Sequence, residues 1–162
     1  MKNFGLSMLV VAIAAVICVS GCNKPAEETQ TGDKTIGLSV LTMKNPFFKD
    51  LADDITAAAK EHGYRVIVVD SEEKEATQDN QIRDFISRKV NAIILNPADS
   101  KSVGESIKRA NKAGIPVFTC DIKSLAPDAK VVCHVATNNF TGGELAAVAI
   151  MEVLDNKGKV AI

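Results

Sequence analysis

Short runs rich in valine and isoleucine alternate along the chain with stretches of helical periodicity, and this alternation restricts the fold more than any other feature. Four runs read TIGLSVL (35–41), RVIVVD (65–70), NAIILN (91–96) and PVFTCD (116–121), and a fifth, VVCHVAT, spans 131–137. Near-continuous apolar strands are typical of parallel sheets covered on both faces. The predicted fold is therefore α/β, a parallel sheet with helices on both faces and right-handed crossovers.

The stretches between these runs carry helix signals. Residues 47–62, 75–89 and 99–113 each place apolar side chains at helical spacing, and a glycine follows the first and the third stretch. Glycine is favoured there because the residue after a helix often adopts the left-handed conformation. Residues 141–156 predict a fourth helix, and GKVAI at 158–162 predicts the start of another strand.

The composition argues against a nucleic-acid partner. The 162 residues carry 19 basic and 20 acidic side chains, giving a net charge of −1 at pH 7, with 4% aromatic residues and no Trp. Nucleic-acid binders usually show a basic excess and stacking aromatics. A hydrophobic content of 46% beside 24% charged residues is instead typical of a globular domain.

The chain opens with the pattern of an export signal. A basic residue precedes an uncharged run at 4–19, which is shorter than the roughly 20 apolar residues that span a bilayer. The sequence VSGC at 19–22 resembles the lipobox of bacterial lipoproteins. This resemblance implies a signal peptide over 1–21, a lipidated Cys22, and a polar tether over 22–34. An ordinary secretory signal or an uncleaved anchor is the alternative.

Two cysteines remain in the body of the exported chain, Cys120 and Cys133, and both lie in predicted strands. An oxidising compartment permits a disulfide between them. A disulfide also needs a short Cα–Cα distance, which the sequence does not fix. Two buried thiols are therefore the preferred prediction, and the disulfide stays open as the alternative.

Polar residues follow the predicted strands at the points where the strands end. They are Asn45 in the first loop, Asp70 after the second strand, Asn96 after the third and Asp121 after the fourth. In open α/β sheets, ligands bind outside these carboxyl ends. Asn both donates and accepts hydrogen bonds, and an ionised Asp accepts them. Sugar hydroxyls need both kinds of partner, so this edge is a candidate sugar site.

Two adjacent phenylalanines begin the first predicted helix. Neighbouring residues of a helix point about 100° apart, so Phe47 and Phe48 are not expected to enter the same core. One ring facing a ligand would offer an apolar face to the C–H groups of a sugar. Packing of that ring against a second domain is the alternative.

Other chemistries lack their residue patterns. His62 and His134 have no metal-ligand spacing around them, and no glycine-rich phosphate loop follows a strand. Asp70 and Asp121 form only a weak candidate for a glycosidase pair. We therefore expect no metal, no cofactor and no enzymatic activity.

Three segments together resemble the ribose-type periplasmic sugar-binding proteins, the substrate-capturing components of ABC importers. The segments are Asn45-Pro46-Phe47-Phe48, Asn96-Pro97-Ala98-Asp99-Ser100, and Ala113-Gly114-Ile115-Pro116-Val117 leading to Asp121. The resemblance implies the type I periplasmic-binding fold, in which two lobes close on a sugar. The ligand contacts that it implies are Asn45, Phe47, Phe48, Asn96 and Asp121.

Two departures from this family pattern affect the expectation. Ribose binders carry Arg after the strand-end Asp, whereas this chain has Ile122, so the identity of the sugar stays open. The family also has chains about twice this length. We expect residues 35–137 to form the N-terminal sugar-binding lobe and 138–162 the hinge and the first helix and strand of an incomplete second lobe. Binding by this chain alone is expected to be weak.

The resemblance implies a substrate-binding lipoprotein of an ABC-type sugar importer. Such a protein captures a monosaccharide, ribose or a related sugar, and delivers it to a membrane permease. Lipidation through Cys22 would hold it at the cell envelope, in the periplasm or on the outer face of the membrane. The alternative is an exported sugar sensor that feeds a membrane signalling receptor.

Overall fold

The computed structural model describes residues 34–159 and 161. The predicted signal peptide, the lipidation of Cys22 and nearly all of the predicted tether lie outside the described residues. The elements in chain order are β1 (Lys34–Val40), α1 (Pro46–Glu61), β2 (Tyr64–Asp70), α2 (Glu75–Ser87), β3 (Ala92–Leu95), α3 (Val103–Lys112), β4 (Val117–Cys120), β5 (Cys133–Val135) and α4 (Asn139–Val153).

The five strands form one parallel sheet in the order β2-β1-β3-β4-β5. β1 lies inside the sheet, where Ile36 pairs with Val66 of β2 on one side and with Ala92 of β3 on the other. The α/β fold with a parallel sheet, predicted from the apolar runs, is confirmed.

Helices α2 and α3 pack side by side on one face of the sheet. Their buried residues Ile82, Phe85 and Ile107 meet Ile93 and Leu95 of β3. A close approach fixes this layer: a Cβ on Gly37 of β1 would lie 2.6 Å from the Phe85 ring. Glycine at this position lets the ring rest directly on the backbone of the sheet.

Helix α1 covers the opposite face beside β1. Leu38 and Val40 point to this side and form a smaller cluster with Phe48 and Ala52 of the helix. Successive side chains of a strand point to opposite faces of the sheet. Accordingly Ser39, which lies between Leu38 and Val40, points to the other face and bonds to a residue of α2. Helices therefore cover both faces, as predicted.

The structure corrects the start of one predicted helix. The third helix begins at Val103 rather than at residue 99, because the Asp99 carboxylate accepts the backbone N–H groups of Lys101 and Ser102 and holds this segment in a turn. The strand predicted over 158–162 stays a prediction; of its residues, only 158, 159 and 161 are described, and they do not belong to this sheet.

Helix α4 has no buried residue. Its apolar side chains, including Phe140, Leu145 and Met151, are exposed. In the part of the chain that the structure describes, no helix is both long enough and apolar enough to cross a membrane.

Cys120 and Cys133 are both free thiols. Cys133 pairs with Phe118 of the neighbouring strand, two residues before Cys120. The strand spacing and rise place the two Cα atoms about 8 Å apart, beyond disulfide range. The preference for free thiols is confirmed, but only Cys120 is buried, because Cys133 lies on the exposed edge strand β5.

Candidate functional site

The strand order places the reversal of chain direction at the carboxyl ends of β1 and β3. The chain leaves β1 toward β2 on one side and returns past it to β3 on the other. In open parallel sheets, the reversal of direction separates the loops after two adjacent strands and creates a ligand site between them. Here those loops begin at Leu41 and at Asn96, so the predicted site residues of the first and third loops share this edge.

Asn45 is the N-cap of α1. Its backbone is extended (φ −90°, ψ 123°), and its side-chain oxygen accepts a hydrogen bond from the N–H of Phe47 at 3.0 Å. Pro46 follows as the first helical residue, where its missing N–H costs nothing. Asn45 is exposed to solvent.

The two phenylalanines diverge as the helical geometry requires. Phe47 is 51% exposed, whereas Phe48 is 6% exposed and belongs to the α1 cluster. Their ring centroids lie 5.1 Å apart in an edge-to-face arrangement. Phe48 therefore supports Phe47 from below, and Phe47 is the ring that offers an open face at the rim.

Asn96 follows β3 and is completely buried. Its side-chain oxygen accepts the N–H of Leu41 at 3.0 Å. Its side-chain nitrogen donates to the carbonyl of Cys120 at 3.0 Å and to the Asp121 carboxylate at 3.3 Å. The side chain thus joins the carboxyl ends of β1, β3 and β4. A direct ligand contact would require it to leave these partners.

Asp121 directly follows β4 and has an unusual backbone conformation. Its φ is 61°, in the left-handed region, which Asp tolerates better than most residues. The N–H of Asp121 donates to the carbonyl of Val135 at 2.9 Å, and the side chain is only partly buried. The carboxylate is thus held by Asn96 on one side and keeps acceptor capacity for a ligand.

The pKa of the Cys120 thiol, one residue before Asp121, is also affected by these surroundings. Burial, together with the negative charge of Asp121, raises the pKa of Cys120 from 9.0 to about 11. A neutral thiol at this position is a weak donor and lies 3.5 Å from the carbonyl of Leu95. It therefore packs beneath the rim and offers no thiolate chemistry.

The Asp70 carboxylate binds backbone N–H groups and is not free at the rim in the way that Asp121 is. Its two carboxylate oxygens accept the N–H groups of Met43 at 3.0 Å and Glu72 at 2.7 Å. Two strands separate it from Asp121 in the sheet order, which corresponds to about 14 Å at normal strand spacing. Glycosidase carboxyl pairs lie within about 10 Å, so these two residues do not form such a pair.

The sequence interpretation missed three polar side chains beneath the rim. Ser39 and Gln78 are buried, and Gln81 is partly buried. The signal for Gln78 is its position on the buried stripe of α2, four residues before Ile82 and seven before Phe85. A glutamine in an apolar stripe indicates a polar partner within the core.

Three grooves, of about 450, 620 and 480 Å³, lie away from the rim and are not lined by Asn45, Phe47 or Asp121. The first separates α2 from α3 and contains an ion-pair cluster of Asp79, Arg83 and Arg109. Burial opposes ionisation of Asp79, but hydrogen bonds from Ser106 and Arg83 and the charge of Arg109 outweigh it, so the pKa of Asp79 is lowered. The pair between Asp79 and Arg109 joins the two helices, whereas the pair between Asp79 and Arg83 lies within α2.

Three or more His, Cys, Asp or Glu side chains that could hold a metal ion do not gather anywhere among residues 34–159. His134 instead shares a hydrogen bond with Thr119 of the adjacent strand, 3.0 Å from its Nδ1. The rim is therefore a surface of amide, carboxylate and aromatic groups.

The sequence and fold are similar to those of known sugar-binding proteins. The model of the periplasmic binding protein domain matches residues 36–162. The ribose import binding protein RbsB of Bacillus subtilis is 39% identical over 85% of this chain and 45% of its own length. RbsB of Escherichia coli is 36% identical over 99% of this chain and 50% of its own length.

A solved structure gives the same picture. The ABC transporter solute-binding protein of Bacillus halodurans with bound myo-inositol is 29% identical, with a TM-score of 0.69, over 78% of this chain and 44% of that protein. The chain spans about half the length of the curated relatives it matches. The predicted resemblance to ribose-type sugar-binding proteins is confirmed.

Proposed function

The chain belongs to the periplasmic binding protein domain family, and we propose that it forms the sugar-capturing lobe of an ABC-type importer, a binding protein and not an enzyme. The two RbsB relatives are ribose import binding proteins, which makes ribose or a related monosaccharide the proposed ligand. The proposed partner is a membrane permease that accepts the sugar.

One observation carries this proposal: three chemically different groups share one edge of the sheet. Phe47 offers an exposed ring, Asn45 an exposed amide, and Asp121 a carboxylate held in place from beneath. Sugars present C–H faces and hydroxyl groups together, and these groups match both. Phe48 and Asn96 complete the proposed site as supporting residues, since both are buried.

We further propose that the protein is exported and anchored through a lipid on Cys22, which would place the rim at the cell envelope near the permease. The support is the sequence at 4–22 described above. Several acyl chains, each methylene contributing about 0.8 kcal/mol, hold a protein at a membrane stably. Cys22→Ser should abolish incorporation of labelled palmitate; labelling that persists would remove this part of the proposal.

A titration of the full chain with D-ribose, followed by NMR of the backbone amides, tests sugar capture. One lobe supplies only part of a cleft, so we expect a Kd on the order of 1–10 mM, equivalent to about −3 to −4 kcal/mol. Shifts should concentrate at Asn45, Phe47 and Asp121. Shifts spread evenly over the surface, or none at the rim, would refute the proposal.

Matched aspartates sharpen this test. Asp121→Asn keeps the size of the side chain and a residue that tolerates the left-handed backbone, but it removes the charge. Asp155 also has a positive φ, 48°, and lies on the surface far along the chain. We expect Asp121→Asn to weaken the ribose response at least about tenfold, and Asp155→Asn to leave it unchanged.

A further inference from the structure

A continuous line of hydrogen bonds crosses the sheet beneath the rim. It begins at β2, where the carbonyl of Asp70 accepts the side-chain amide of Gln81 at 2.6 Å. The Gln81 oxygen accepts the hydroxyl of Ser39 in β1 at 2.8 Å. That hydroxyl in turn accepts the side-chain amide of Gln78 at 3.1 Å. The side chains of Gln81 and Gln78 in α2 thus bond to the backbone carbonyl of Asp70 in β2 and to the Ser39 hydroxyl in β1.

The line continues from Gln78 to the rim. The Gln78 amide also donates to the backbone carbonyl of Asn96 at 3.0 Å, and its oxygen accepts the N–H of Ala98 at 2.9 Å. Asn96 then donates to Asp121 at 3.3 Å. The two strand-end acids, Asp70 and Asp121, therefore lie at opposite ends of one network that follows the strand order.

Stability alone does not explain a glutamine at position 78. The residue is 3% exposed on a stripe that is otherwise apolar. Burying an amide costs free energy that its hydrogen bonds only recover, whereas an apolar residue of the same shape can serve a core equally well. The glutamine is better explained by what it holds, which is the loop that carries Asn96.

We propose that Asn96 and Gln78 are positioning residues for the sugar site: Asn96 orients the Asp121 carboxylate, and Gln78 fixes Asn96 without touching the rim. This inference rests on the proposed function for its consequence, because an oriented acceptor loses less entropy when a sugar hydroxyl binds. The orientation itself is a property of the free protein.

The test measures the side-chain conformation of Asp121 by three-bond NMR couplings in the full chain. Gln78→Met keeps the volume of the side chain and removes its hydrogen bonds. We expect the couplings of Asp121 to change from those of a single rotamer to averaged values, and the D-ribose Kd to rise about tenfold. Unchanged couplings would overturn the proposal.

Ser106 supplies a matched control outside the network. It is buried on α3 and donates to Asp79 at 2.5 Å, on the same face of the sheet as Gln78. Ser106→Ala also removes a buried hydrogen bond, so any general loosening should appear in both variants. We expect Asp121 to keep its single rotamer in Ser106→Ala; averaging in both variants would assign the effect to general destabilisation and refute the positioning role.

A second variant covers the case in which Gln78→Met does not fold. Asn96→Ala removes the donor that reaches Asp121 and places no charge beside that carboxylate. Asp121 should become mobile while the amides of β1 and β3 keep their protection from exchange. If Asp121 becomes mobile but the unaltered chain shows no ribose response, the positioning role stands and the proposed sugar function fails.

Discussion

Helices α3 and α4 each follow a strand of the sheet, but their surroundings are opposite. α3 buries Val103, Ile107 and Ala110 against the sheet, and its other side is charged. α4 is apolar on most sides and buries nothing among the described residues. An apolar helix of this kind is typical of a protein interior. The local sequence determines whether a helix forms, whereas the burial of the helix depends on which other elements surround it.

The largest difference is expected for one substitution made in both helices. Ile107 is fully buried, and Ile150 is 41% exposed. Ile107→Ala should lower the free energy of unfolding by about 2–5 kcal/mol, because it leaves a cavity among packed side chains. Ile150→Ala should change it by less than about 0.5 kcal/mol. Urea denaturation measures both; equal losses would show that α4 is packed in solution and would end the contrast.

Replacing a glycine by alanine should have opposite effects on stability in the two helices. A Cβ on Gly104 of α3 would overlap the Cβ of Ala126, whereas a Cβ on Gly143 of α4 meets nothing within 4 Å. Gly104→Ala should therefore destabilise the protein by about 1–3 kcal/mol. Gly143→Ala should increase the helicity of α4, worth about 0.5–1 kcal/mol. Thermal melts followed by circular dichroism would detect both, and two changes of the same sign would contradict the structure.

The thiols of the adjoining strands should differ in reactivity and in pH dependence. Cys133 is exposed and should react with a maleimide in the folded protein, whereas Cys120 should react only on unfolding. Because burial raises the pKa of Cys120 from 9.0 to about 11, the unfolded state loses this proton first. Its contribution to stability is therefore constant below about pH 9 and is lost as the pH rises toward about 11.

A comparison with Cys120→Ala isolates this effect from other groups that titrate in alkali. The difference in unfolding free energy between the two proteins should narrow over that pH interval. A constant difference would mean that the thiol ionises equally in both states, and rapid labelling of Cys120 at neutral pH would show that β4 opens to solvent.

The sequence predicted the parallel sheet and the helices because each signal is local. Val and Ile runs such as 65–70 and 91–96 need no tertiary information, and the strand-end rule then brought Asn45 and Asp121 to one edge. The different directions of Phe47 and Phe48 were predicted from helical geometry alone. These parts depend only on local apolar runs, on the helical period of 3.6 residues and on where the strands end.

The remaining parts depend on contacts between distant residues. α3 starts late because the Asp99 carboxylate accepts hydrogen bonds from the backbone N–H groups of Lys101 and Ser102, and these bonds compete with the helix. The burial of Asn96 and the link through Gln78 join residues 18 to 25 positions apart. A sequence pattern marks such residues as polar, but it does not say whether they face a ligand or one another.

The left-handed backbone of Asp121 has a consequence for anyone who would re-engineer the site. At a φ of 61°, only glycine, asparagine and aspartate are accommodated at small cost, and a β-branched residue would be strained. Ligand preference at this position can therefore be varied in charge but hardly in size. A protein engineer who wants a larger or smaller ligand must alter the neighbouring side chains and leave this one to set the charge.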